Sequence, residues 1–272
     1  MSDALREPLR GALRDSLGRM EPGEKLRTLV CGFLADDAAA VVATAGKGAE
    51  KILVLAPGAA SAAKSEVRNT KYEVAGGPGT PGPAIVPLPG DSVKVLDAFP
   101  DKSFGWVLAL WDPAFLAPDR LARFLRLLKP GGVILSLVAE DGSPPILDDL
   151  VRDLRKGNPD LGVRLAGGGV FPGGPEALRK KLAKAGFSLP RSWRGRFDLA
   201  FDGADAALSH LRQAGAETLF GGSKPAAVGR IEAALRRGLE SRRGGDGKIR
   251  IEHRWLGALA GRPALEIDSF SH

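Results

Sequence analysis

The sequence predicts an α/β protein built on a doubly wound, mostly parallel sheet. Two observations carry that expectation. Between residues 50 and 200, apolar runs of strand length alternate with stretches of helix length, the order that successive βαβ crossovers produce. Within that series, Leu127 to Val138 reads Leu-Leu-Lys-Pro-Gly-Gly-Val-Ile-Leu-Ser-Leu-Val. Proline cannot continue a helix and glycine takes positive φ without cost, so a helix must end and a strand begin there. A chain of 272 residues can bury a full core. We expect an N-terminal helical region over 1–48, an α/β core over 49–200 and a C-terminal part over 201–272 that completes the domain.

In chain order, Leu5, Leu9, Leu13 and Leu17 recur four apart beside Arg6, Arg10 and Arg14, which predicts an amphipathic packing helix. A mitochondrial transit peptide is the other reading, but Asp3, Glu7 and Asp15 oppose it. A second helix is expected over 24–45, with Leu26, Leu29, Val30, Phe33 and Leu34 on one side and Gly46 to Gly48 ending it. Lys51 to Leu55 then reads as the first strand, turning through Ala56-Pro-Gly-Ala-Ala60 into a helix. Lys71-Tyr-Glu-Val74 is a short candidate second strand. The following Ala75-Gly-Gly-Pro-Gly-Thr-Pro-Gly-Pro83 cannot be helical and reads as a truncated crossover or a loop.

Ala84 to Leu88 is the third strand, closed by Pro89-Gly-Asp91, and Trp106 to Trp111 the fourth. Ligands in open parallel sheets collect at strand C-termini, so Leu110, Trp111 and Asp112 face the expected crevice. Leu121, Phe124, Leu125 and Leu128 form the apolar stripe of the helix that Pro-Gly-Gly ends. Beyond the fifth strand come a helix at Leu147–Lys156, a glycine-rich connection and a helix from Pro175 to Ala185-Gly-Phe187. Further helices and an alternating closing strand through Ile249 and Ile251 complete the chain.

Cys31 is the single cysteine, and His210, His253 and His272 have no ligand spacing. An intrachain disulfide and a multi-cysteine zinc site are therefore excluded, and no metal site is expected. A reducing compartment fits, cytoplasm or mitochondrial matrix, with no secretory signal and no apolar run long enough for a membrane span. The net charge of +7 lies wholly after residue 145. That points either to an acidic partner or to a solvated arginine-rich surface. Nucleic acid has only this charge in its favour, with no aromatic platform or recognition motif.

Several of these stretches resemble class I S-adenosylmethionine (SAM)-dependent methyltransferases. The helix ending in Leu-Lys-Pro-Gly-Gly resembles their approach to the fifth strand, and Phe99-Pro-Asp-Lys-Ser-Phe-Gly-Trp-Val107 resembles their lead into the fourth. Phe197 to Ala216, with Leu-Arg-Gln-Ala-Gly-Ala at its end, and Asp246 to Ala260 are similar to two groups within the family. These are the malonyl-acyl carrier protein O-methyltransferase of biotin synthesis and the methyltransferase-like assembly factor of mitochondrial complex I. The resemblance implies SAM as cofactor. It places Ala56 and Gly58 in the first cofactor motif, Glu73 at the ribose, Asp91 and Ser92 near the adenine, and Leu110 and Trp111 at the crevice. Surface and helix-capping roles for Glu73 and Asp91 stay open.

The chain departs from the family at that first motif. Val54 stands where an acidic residue is usual, and Ala56 and Ala60 replace outer glycines, each adding a Cβ where backbone and ligand would meet. Pro57 has no N–H to donate. No general base is implied. The expected activity is methyl transfer to a protein or acyl-carrier-linked substrate, with an acidic protein or acyl carrier protein as partner and complex I assembly as one setting. The alternative is a catalytically silent protein of the same fold that binds partners in assembly.

Overall fold

The computed structural model describes residues 3–20, 26–32, 35, 39, 42, 49–55, 84–87, 92–161, 171–213, 220 and 225–264. Its strands are β1 (Leu26–Gly32), β2 (Ala49–Leu55), β3 (Ala84–Pro87), β4 (Phe104–Leu110), β5 (Leu128–Ala139), β6 (Ser188–Phe201) and β7 (Ile249–Gly261). Its helices are α1 (Asp3–Gly18), α2 (Ser92–Asp97), α3 (Pro118–Leu127), α4 (Ile146–Gly157), α5 (Pro175–Lys184), α6 (Ala204–Gln213) and α7 (Pro225–Glu240). The strands form one sheet in the order β3-β2-β1-β4-β5-β7-β6. Pairings of β1 with β2 and β4, of β2 with β3 and of β4 with β5 are all parallel. Gly131 N–H donates to Arg262 O, and Glu140 N–H to Arg254 O, so numbering rises along β5 as it falls along β7. That last neighbour is antiparallel.

The α/β, doubly wound, mostly parallel architecture is as the sequence predicts, with one correction of register. Residues 26–32, read as the start of a helix, are instead the central strand β1. Lys51 to Leu55 is therefore the second strand rather than the first. Leu29, Val30 and Cys31 are all fully buried, because a central parallel strand is covered on both faces and shows no alternation. The same apolar residues also satisfy a helical stripe, which is how the two readings become confused.

The chain divides into two compact units, residues 10–138, 174–193 and 256–272 in one, and residues 1–9, 139–173 and 194–255 in the other. In the first, Leu29, Val107 and Ile134 of the sheet pack with Phe124, Leu178 and Leu182 of α3 and α5. Helix α3 ends where Pro130 forces extended backbone on its neighbour. Gly131 comes next at φ +73, and a Cβ on Gly132 would lie 2.8 Å from Lys129 O and 2.9 Å from Gly105 O. Arg262 Nη1 donates to the carbonyls of Leu125, Arg126 and Leu128 at 3.2, 3.1 and 2.8 Å, meeting acceptors that a helix end leaves unpaired. In the second unit, Leu150, Leu208, Ile231 and Leu235 of α4, α6 and α7 enclose Ile249 and Ile251 of β7.

Candidate functional site at the strand switch point

In a doubly wound sheet the crevice opens where neighbouring strands leave in opposite directions. Here β1 has β2 on one side and β4 on the other, which places the crevice at the C-terminal ends of β1 and β4. Gly32 and Leu110 are partners in that register. Gly32 has φ +111, and a Cβ there would lie 2.0 Å from Leu110 O and 3.1 Å from Phe115 Cε2. Only glycine fits, and what it accommodates is the chain's own backbone.

Trp111 is next along the chain at φ 60, a left-handed conformation that costs a bulky residue about 1–3 kcal/mol. Its N–H donates to Leu137 O at 2.6 Å, which fixes it to the end of β5. Asp112 caps the short 3-10 turn Pro113–Leu116, its Oδ1 accepting from Ala114 N–H at 2.9 Å. That turn returns Phe115 and Leu116, both buried, to the core.

Of the expected site residues, the structure brings Leu110 and Trp111 to the switch point. The Leu110 side chain is fully buried, so this residue offers a crevice only its backbone. Ser92 opens α2. Ala56, Gly58, Glu73 and Asp91 lie outside the described residues. The corrected strand order nevertheless moves Ala56 and Gly58 to the sequence just after β2, away from the first-strand motif assigned to them. Strand β1 runs on in sequence into Phe33-Leu-Ala35, and β2 ends at Leu55.

A nucleoside cofactor in such a sheet draws on a glycine-rich turn after the first strand and a carboxylate at the end of the second. Gly32 is occupied by Leu110 and Phe115, and the second strand ends in leucine. The turn that follows β1 and the residues that follow β2 lie outside the described residues.

Two polar features escaped the sequence reading. Glu140, just past β5, is buried; Oε1 pairs with Arg194 Nη2, while Oε2 is buried without a hydrogen-bond partner. His210 on α6 and His253 on β7 meet Nε2 to Nε2 at 2.8 Å. Phe197 stacks on His253 with centroids 5.3 Å apart, and Phe201 lies 5.1 Å from His210. Burial lowers both imidazoles, His253 to about 4 with help from its neighbour. The two histidines are separated by 42 residues, and only the packing of α6 on the closing strands joins them. Burial raises the Cys31 thiol far above its ordinary value, which makes it a packing group and no nucleophile. Among the described residues no three His, Cys, Asp or Glu side chains converge as a metal site.

Neither a family profile nor a curated protein matches this sequence. Solved structures do. A Bacillus halodurans protein assigned as a methyltransferase aligns over 93% of this chain and 99% of its own, with 12% identity and a TM-score of 0.52. The YcgJ protein of Bacillus subtilis aligns over 94% of this chain and 99% of its own, with 14% identity and a TM-score of 0.52. The fold is that of the class I methyltransferases. At such identities the likeness extends to architecture, and chemistry has to be argued from the site itself.

Proposed function

We propose that this chain is a methyltransferase-fold protein that acts by binding, an assembly factor whose first strand ends on a glycine packed against its own chain. The observation carrying this reading is Gly32. A Cβ there would meet Leu110 O and the Phe115 ring, so internal packing accounts for the glycine. The leucine at the end of β2 points the same way. Assembly of respiratory complex I, served by one of the two groups the sequence resembles, is the setting this reading favours, with an acidic protein as partner.

SAM-dependent methyl transfer to a protein or acyl-carrier-linked substrate is the second reading. Trp111 favours it, because a bulky residue held at positive φ beside a strand-end crevice is the kind of strain that functional sites retain. The two readings separate in an assay with SAM labelled in its methyl group, offered malonyl-acyl carrier protein and a total protein extract. The binding reading predicts no label transferred above a protein-free control. Labelling of either acceptor, lost on heat denaturation of the protein, would instead establish the second.

A further inference from the structure

The opposite end of β4 carries a cavity of about 250 Å³. Its walls are apolar: Trp106 of β4, Val133 of β5, and Leu259 of β7, with Leu189 of β6 at the rim. Two guanidinium groups, Arg19 just after α1 and Arg191 on β6, complete the lining, and none of the lining residues is acidic. Among the described residues no carboxylate pairs with either arginine, whereas Arg194, Arg212, Arg230, Arg236, Arg242 and Arg250 each have one.

Arg19 is also held in place. Its Cζ sits 4.9 Å from the centroid of the Trp193 ring, a cation–π contact that orients the guanidinium without neutralising it. Trp193 in turn rests on Gly257, where an added Cβ would come within 2.5 Å of the indole. At the rim, Leu189 is 88% exposed at φ 46. Positive φ is an uncommon backbone state for a bulky side chain, and here it turns an apolar group to the mouth of the cavity.

We propose that this cavity is a binding site for a small amphipathic anion, an apolar body ending in a carboxylate or phosphate. The two arginines would take the anionic end, for which their fork of donors is suited. The aromatic and aliphatic walls would take the body, with Leu189 closing over it. The volume lies just below the usual range for small-molecule sites, ~300–1,000 Å³, which selects a compact ligand over a peptide segment. The site is independent of the switch-point crevice and of whether SAM binds there.

The test is calorimetric titration of the intact protein with octanoate, octyl phosphate and octanol, followed in parallel by tryptophan emission, since Trp106 lines the cavity. Saturable binding of octanoate or octyl phosphate, with octanol weaker by about tenfold or more, is the expected result, and whichever anion binds tighter identifies the head group. Arg191→Gln and Arg19→Gln should each weaken the anion by about tenfold without changing octanol. Val133→Phe, which fills the cavity, should abolish binding of all three. Should Arg19→Gln lower the melting temperature, the exposed Arg191→Gln decides. Equal affinity for octanol and the anions, affinity indifferent to Arg191→Gln, or no saturation at millimolar ligand would overturn the assignment.

Discussion

Gly32 and Gly131 both adopt positive φ, but their surroundings differ. A Cβ at Gly131 meets nothing within 4 Å, whereas at Gly32 it meets Leu110 O at 2.0 Å. Gly131→Ala should therefore cost only the left-handed penalty, about 1–2 kcal/mol. Gly32→Ala should cost about 3 kcal/mol or more, because β1 and β4 must separate. Urea denaturation of the two variants reads the difference. The histidine pair gives a pH dependence of definite sign. His253 is depressed from 6.5 to about 4 in the fold, so the unfolded chain takes up its proton first as pH falls. Its contribution is intact above pH 6.5 and is lost between 6.5 and 4, up to about 3 kcal/mol. Thermal melts across that window should fall more steeply for the native protein than for His253→Gln; equal slopes would count against the coupling.

Among the elements, the α3–β5 junction shows how far local signals reach. Pro130, Gly131 and Gly132 are legible in sequence because each constrains the backbone where it stands. The other half of the junction is not. Arg262, remote in sequence, donates to three carbonyls at the end of α3, and nothing in its neighbourhood announces that role. Arg262→Ala should destabilise by about 1–2 kcal/mol, while Arg262→Lys, which lacks the planar fork, should recover only part of this. Chemical denaturation checks both. Strand β1 marks the opposite limit. Thr28, Leu29, Val30 and Cys31 are buried, so the alternation that identifies a half-exposed strand is missing, and length alone could not separate it from a helix. That single exchange makes Lys51 to Leu55 the second strand of the sheet, with Ala56 and Gly58 following it in sequence.

Over the whole molecule, the order β3-β2-β1-β4-β5-β7-β6 reproduces the methyltransferase sheet, and the sequence foretold its class because the βα alternation persists through most of the chain. The charge surplus was legible in amount but not in use. Many of the arginines after residue 145, such as Arg230 and Arg236, are paired with carboxylates at the surface, pairs that add little stability. The His210–His253 contact and the Arg19–Arg191 cavity could not be foreseen, since each depends on strand register rather than on spacing. On the reading proposed above, the sheet persists while its nucleoside contacts do not. Calorimetric titration with SAM and with S-adenosylhomocysteine puts that to a direct test. No saturable heat and no rise in melting temperature at millimolar ligand is the expected outcome. Micromolar binding of either compound would contradict it, and would mean that residues beyond Gly32 and Leu55 supply the contacts these two positions lack.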